Sequence, residues 1–217
     1  MHRLIGCCVV SCLLLGCASP RSTTASDVRP LFNGTTLDGW KGLVGNPISR
    51  SKMTPAELAS AQIEADERMR AHWTVVDGVL VFDGKGDSLV TAEDFEDFEL
   101  QVDWKIKPEG DSGIYLRGSP QVQIWDNPIG SGGLYNNQKH PSQPLTVADN
   151  PVGEWNTFRI RMIGDRVTVW LNDQLVADDV VLENYWDRSR PIFPRGPIEL
   201  QNHGNTLYFR NISVRAL

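Results

Sequence analysis

Beyond Cys17 the sequence holds no cysteine, because all four (Cys7, Cys8, Cys12 and Cys17) fall in its first seventeen residues. The rest of the chain therefore has no disulfide, no thiolate metal site and no cysteine nucleophile, even in an oxidising compartment. Positive charge is also scarce: 21 Lys and Arg stand against 27 Asp and Glu, a formal net charge of −6. That balance argues against nucleic acid as a partner. Long apolar runs are confined to Leu4–Leu15, which is too short to span a bilayer well. Several catalytic signatures are missing too: there is no Gly-x-Ser-x-Gly elbow, no His-Glu-x-x-His, no Gly-x-x-x-x-Gly-Lys and no Glu-x-Asp-x-x-Glu strand. A retaining glycosidase built on two carboxylates has no evident home here.

What is present begins with an export signal. Arg3 precedes the apolar run, and Leu14-Leu15-Gly16-Cys17 has the pattern of a bacterial lipobox. Residues 1–17 are thus expected to be a lipoprotein signal peptide, with Cys17 as the lipidated terminus. Residues 18–29 are small and polar, like a tether. The expectation is a protein anchored to the envelope of a Gram-negative-type bacterium by lipid alone, with Ala18 hinting at the outer membrane. Cleavage elsewhere, leaving a soluble protein, is the alternative. The remaining residues, 30–217, suit one β domain with one large core.

From Trp73 onward, short alternating runs separated by turn residues predict an all-β sandwich rather than βαβ units. Expected strands are Trp73–Val76, Val79–Phe82, Ser88–Thr91, Phe98–Ile106, Gly113–Arg117, Gln121–Trp125, Asn156–Ile163, Arg166–Leu171, Ile198–His203 and Thr206–Arg215. Asp77-Gly78 and Gly164-Asp165 are hairpin dipeptides. One segment departs from this pattern. Thr54-Pro55-Ala56-Glu57 combines an N-cap, a proline at the first helical position and the glutamate of a capping box, predicting an inserted helix to about Ala71. Its main apolar residues are Leu58, Ala61, Ile63 and Ala65, a narrow stripe that would cover a sheet edge or wall one end of a cleft.

The polar sides of the strands carry the functional signal. In Gly196–Gly204, Ile198 and Leu200 alternate with Glu199, Gln201 and His203, so that acid, amide and imidazole share one face of a strand. Phe98–Ile106 puts Asp103 and Lys105 on its wet face, Gly113–Arg117 adds Tyr115 and Arg117, and Gln121–Trp125 adds Gln123 and Trp125. If these strands neighbour one another in one sheet, the set forms a single patch of planar hydrogen-bonding groups, with Trp125 as a platform for a sugar ring. Arg117, flanked by Gly118-Ser119-Pro120, is expected to reach across a concave sheet toward an oxyanion, or to serve as an ion-pair partner for Asp103 or Glu199. Asp126 caps a strand end, where it makes turn hydrogen bonds or orients a substrate or metal.

These residues carry a resemblance. Leu31-Phe32-Asn33-Gly34, Trp73-x-Val75-x-Asp77-Gly78, Asp111-Ser112-Gly113-Ile114-Tyr115-Leu116-Arg117-Gly118, Val122-Gln123-Ile124-x-Asp126, Gly153-Glu154-Trp155-Asn156 and Leu200-Gln201-x-His203-Gly204 resemble, in order, the bacterial 3-keto-disaccharide hydrolase-like family. The resemblance implies a concanavalin A-like jelly roll, action on glycosides oxidised at C3, and a functional link to a sugar 3-oxidoreductase. Such a substrate needs a base near C2, stabilisation of an enolate at O3 and an acid for the leaving oxygen. His203 or Glu199 is a candidate base, and Arg117 or Lys105 a candidate to hold the enolate. Asp103, Tyr115, Gln123, Trp125, Asp126 and Gln201 are candidates for substrate binding. Asp103, Glu199 and His203 are alternatively a ligand set for a divalent metal ion. A non-catalytic carbohydrate-binding lipoprotein of the same fold is the rival reading, and an envelope interaction domain a third.

Overall fold

The computed structural model describes residues 28–217, so the expected signal peptide and the lipidation site Cys17 lie outside the described residues. The chain is a jelly-roll β-sandwich of two antiparallel sheets. In chain order its strands are β1 (Arg29–Pro30), β2 (Trp40–Gly42), β3 (Trp73–Val76), β4 (Val79–Phe82), β5 (Leu89–Thr91), β6 (Phe98–Ile106), β7 (Asp111–Leu116), β8 (Ser119–Trp125), β9 (Asn156–Ile163), β10 (Arg166–Leu171), β11 (Gln174–Val181), β12 (Glu199–Leu200) and β13 (Leu207–Ala216). The eight-stranded sheet runs β11-β10-β9-β6-β13-β4-β3, with β1 pairing β13, so Arg29 already belongs to the sandwich rather than to a tether. The five-stranded sheet runs β2-β5-β12-β7-β8.

The alternation in the sequence builds the core between them. Phe98, Leu100, Val102, Trp104 and Ile106 of β6 face Ile114, Leu116, Val122, Ile124, Ile198 and Leu200 of the smaller sheet, and all are buried. Trp73 stacks on Phe82 with ring centroids 4.4 Å apart. Each such side chain contributes about 1.5–3 kcal/mol through burial.

Two helices sit beside the smaller sheet: α1 (Pro47–Arg50) and α2 (Pro55–His72). The capping box that marks α2 in the sequence is formed, with the Thr54 amide donating to Glu57 (2.7 Å) and the Glu57 amide donating to Thr54 Oγ1 (3.3 Å). The buried positions of α2 are Ala65 and Met69, one turn apart, whereas Ile63, expected in the apolar stripe, is 64% exposed. The helix covers the edge strand β2 through its polar side chains. Asp66 accepts from the Gly42 amide (2.9 Å) and Gln62 donates to the Gly42 carbonyl (2.8 Å), which satisfies an edge that would otherwise be open. The approach requires glycine, since a Cβ at residue 42 would meet the Ala65 carbonyl oxygen at 2.1 Å.

Three strand expectations are corrected. First, β12 is only Glu199–Leu200, not Ile198–His203. The Gln201 amide still donates to Gly113 (3.0 Å), but Asn202 Oδ1 then accepts from the Gly204 amide (2.7 Å), an Asx turn that ends the strand and places His203 in a bend. Second, the strand expected over Gly113–Arg117 ends at Leu116. Arg117 and Gly118, both at positive φ (53° and 74°), are the central residues of the β7–β8 hairpin, so Arg117 belongs to a turn. Third, three strands lie outside the expected set: β1 and β2, only two and three residues long, and β11, where Ala177-Asp178-Asp179 and a register shift against β10 hide the period.

Candidate active site

Glu199 lies at the centre of the five-stranded sheet. One cross-strand row runs Lys41 (β2), Val90 (β5), Glu199 (β12) and Tyr115 (β7), so the carboxylate has a strand on each side. It forms the floor of a cleft of about 190 Å³ lined also by Tyr115, Gln201, Ser88, Arg50 and Trp186. Two irregular segments raise the walls. On one side α1, capped by Asn46 and Ser49, carries Arg50, whose Nη1 donates to the carbonyls of Val44 (2.8 Å) and Gly45 (3.1 Å). On the other, the segment after β11 brings Trp186, whose indole N–H donates to the Gly118 carbonyl (2.7 Å). The Gly118 amide in turn donates to Pro197 (3.0 Å), and residue 196 must be glycine because a Cβ there would meet the Arg117 carbonyl oxygen at 2.6 Å.

The electrostatics of the cleft follow from burial. Glu199 is 4% exposed and has no cation within ion-pair distance among the described residues. Desolvation pushes its pKa up to about 7, outweighing a hydrogen bond from Ser88 and the more distant charge of Arg50. The Ser88 hydroxyl oxygen accepts from the Asn202 amide (3.0 Å), leaving its proton free for the carboxylate. Burial, followed by the charge of Glu199, drives the Tyr115 phenol upward, so it remains a neutral donor. The Gln201 side-chain amide donates to the Tyr115 oxygen (3.2 Å), while Gln201 Oε1 is buried with no partner among the described residues. A phenol proton and an unpartnered amide oxygen side by side suit a pair of ligand hydroxyls.

The residues expected from sequence divide into those this cleft gathers and those it does not. Glu199, Gln201 and Tyr115 line it. Gln123 is on the same sheet but is buried and donates to Asp111 (2.7 Å). His203 is 54% exposed in its turn, 3.6 Å from Asp111, and does not line the cleft. Trp125 is opposite Asp111, four residues along β7 from Tyr115 and thus roughly 13 Å down the strand. There it donates to the Gly130 carbonyl and packs edge-on against Tyr135. Asp126 accepts from the Glu109 amide (2.9 Å), a turn contact.

Asp103, Lys105 and Arg117 are corrected more strongly. Asp103 and Lys105 belong to β6, in the other sheet, so their wet face is the opposite outer surface of the sandwich. Asp103 accepts there from Thr157 (2.7 Å), Asn211 (2.8 Å) and Arg210 (3.2 Å). Lys105 lies over the rings of Trp155 and Tyr208. Arg117, 2% exposed, turns its guanidinium away from the cleft to donate to the Gly164 carbonyl (2.8 Å) and Asp97 (2.7 Å). The proposed metal set of Asp103, Glu199 and His203 is therefore split between two sheets and a turn, and among the described residues no cluster of three acidic, His or Cys side chains is placed to hold a metal. Sequence reasoning missed Arg50, Ser88 and Trp186, since each reaches the cleft through a short or aperiodic segment.

A jelly roll with a buried glutamate at the centre of its smaller sheet defines the architectural class. Within it, residues 27–215 match the family model described as the 3-keto-alpha-glucoside-1,2-lyase-like domain, and the chain belongs to that family. It is 25% identical, over 86% of its length and 77% of the relative's, to a 3-keto-disaccharide hydrolase of Bacteroides thetaiotaomicron. Among solved structures, a protein of Parabacteroides distasonis ATCC 8503, provisionally described as a glycosyl hydrolase, is 28% identical with a TM-score of 0.67, covering 88% of this chain and 84% of that one. A second protein from the same organism, at 23% identity and a TM-score of 0.63 over 88% and 94% of the two chains, shows the shared fold.

Proposed function

We propose that this protein cleaves 3-keto-glycosides at the cell envelope, with Glu199 as the base. A ketone at C3 acidifies the C2–H. The Glu199 carboxylate takes that proton, and the C–H electron pair forms the C2–C3 enolate with its charge on O3. The enolate collapses to the ketone as the C1–O bond breaks, so the leaving oxygen departs with the pair and a C1–C2 double bond remains. Water then adds at C1 while C2 regains a proton, and the net result is hydrolysis; release before hydration makes the reaction an elimination. The Tyr115 phenol and the Arg50 cation are the donors available to O3 and to the leaving oxygen. Membership of the family, the Bacteroides relative and the shared fold support this reading, while the placement at the envelope rests on Leu14–Cys17. A substrate oxidised at C3 implies a sugar oxidoreductase acting before this protein.

The observation that carries the proposal is Glu199 itself, a carboxylate 4% exposed that lines the cleft beside Tyr115 and Gln201, where desolvation raises its pKa to about 7 and so suits it to proton abstraction at neutral pH. A second reading, non-catalytic sugar binding, draws on the unpartnered Gln201 oxygen beside Tyr115, which needs a ligand hydroxyl but no turnover. Incubating the purified protein with a 3-keto-glucoside, with and without chelator, and following release of the leaving group separates them. Release abolished in Glu199→Gln supports the enzyme; retained sugar binding with no release in either condition supports the binder. A chelator effect would add a metal that the residues named above do not explain.

A further inference from the structure

A second cavity, about 590 Å³, opens beside the Glu199 cleft and shares Leu43, Pro47, Arg50, Gly118 and Pro197 with it. Its size is that of a small-molecule site. The Glu199 cleft has room for little more than one sugar ring, and the shared wall gives a group attached at C1 a direct path into this neighbour. We propose that the larger cavity is the leaving-group pocket and that it takes an apolar, aromatic ring bearing an anionic substituent. This inference rests on the reading of Glu199 as the site of C2 deprotonation.

Leu43, Val44, Leu58 and Val90 give the cavity aliphatic walls, and half-buried Phe193 offers it a ring. A second sugar would find planar groups in Arg50, Arg195 and Asp94, but these are charged, and few neutral ones stand beside them. The cavity supplies one side-chain amide, Gln62, and its nitrogen is already committed to the Gly42 carbonyl and Asp66 (2.8 Å each). The charge is unbalanced in the other direction. Lys41, Arg50 and Arg195 line the space and, among the described residues, none is in ion-pair contact with a carboxylate. Among the described residues Arg195 donates only to the Asp94 backbone carbonyl (2.9 Å), and Asp94 is the one acidic residue lining the cavity. Arg117 also lines it, with its guanidinium held by Asp97. A chain of formal charge −6 thus concentrates cations where an aglycone would sit. Aryl leaving groups fit the chemistry as well, because a phenolate departs with its electron pair without first being protonated.

The test compares the 3-keto-glucosides of 3-hydroxybenzoate and 3-hydroxybenzamide, whose phenols differ little in acidity but by one full charge. The carboxylate substrate is expected to show a kcat/KM about tenfold higher, the worth of one well-placed charge contact. That ratio should fall toward one in Lys41→Gln/Arg195→Gln, with KM carrying the change and the melting temperature held. In parallel, saturation-transfer NMR follows free 3-hydroxybenzoate on the wild type and on the same variant. Turnover of both substrates with equal kcat/KM overturns the inference and leaves the reaction standing. No turnover of either, with 3-hydroxybenzoate bound by the wild type and lost in the variant, supports the pocket and sinks the reaction. Absence of both preference and binding removes the inference outright.

Discussion

The two outer faces of the sandwich carry carboxylates of nearly equal burial in opposite surroundings. Asp103, on the larger sheet, is 7% exposed and accepts hydrogen bonds from Thr157, Arg210 and Asn211. Glu199, on the smaller sheet, is 4% exposed, with a hydrogen bond from the Ser88 hydroxyl, the Tyr115 phenol on the neighbouring strand and Arg50 farther off. The first face is closed: Arg210 lies over Trp155 and Arg159 over Trp170, and Glu99 pairs with Arg215. The second is open, with a raised carboxyl pKa and a cleft above it. A buried charge with its partners in place is architecture, whereas a buried charge left short of partners costs stability and is kept where chemistry needs it.

The largest effect expected from this difference is at Glu199. Glu199→Gln should lower kcat/KM on a 3-keto-glucoside by about a hundredfold or more, as loss of a general base does. The wild-type rate should rise with pH through about 7 as the carboxyl ionises, and the residual rate of the variant should lack that limb. Stability should move the other way. Folding raises this pKa from 4.5, so the folded state holds its proton more tightly, and the cost of a buried carboxylate sets in as pH climbs from about 4.5 to about 7. Above pH 7 Glu199→Gln should therefore be more stable than wild type, by up to about 3 kcal/mol in denaturant titrations. A variant both inactive and less stable at pH 8 would show that Glu199 is structural, like Asp103.

How much of this was legible beforehand depends on what fixes each residue. Trp73–Val76, Val79–Phe82, Phe98–Ile106, Asn156–Ile163 and Arg166–Leu171 have the bounds their alternation predicts, because local pattern and tertiary burial agree there. The inserted helix was readable from Thr54-Pro55-Ala56-Glu57 for the same reason. Within the site, Glu199, Gln201 and Tyr115 were found because each alternates with a core residue. Alternation separates the wet side of a strand from the dry one, but it carries no information on which sheet the strand joins. That is why Asp103 and Lys105 were grouped with a cleft on the far side of the molecule. Arg117 and His203 were misplaced by local turns, one at positive φ and the other in the Asn202 Asx turn, which interrupt the period within a residue or two of a good strand. Arg50 and Trp186 had no periodic signal to give.

A smaller effect sharpens the view of the open face. Tyr115→Phe removes the neutral phenol proton while keeping the ring, and should cost about tenfold in kcat/KM, the worth of one hydrogen bond. Sugar binding should weaken by a similar factor if Tyr115 contacts a hydroxyl already present in the ground state. On the closed face the matching change is Asp103→Ala. It strands Thr157, Arg210 and Asn211 and should cost about 2–3 kcal/mol of stability, read by denaturant titration, with kcat within twofold of wild type.

The smallest expected effect is the one that most directly tests the separation of the faces. Lys105 was a candidate for holding an enolate, yet its ammonium lies 4.9 Å from the ring centre of Trp155 and 4.7 Å from that of Tyr208, on the surface opposite Glu199. Lys105→Met keeps most of the apolar stem and removes the charge. The loss should be about 0.5–1 kcal/mol of cation–π stabilisation at a solvated site. Kinetics should not change if the chemistry is at Glu199, as proposed, because Lys105 is on the opposite face. A loss of kcat in Lys105→Met with stability intact would mean that the larger sheet's outer face takes part in the chemistry, and the division between a closed and an open face would fail.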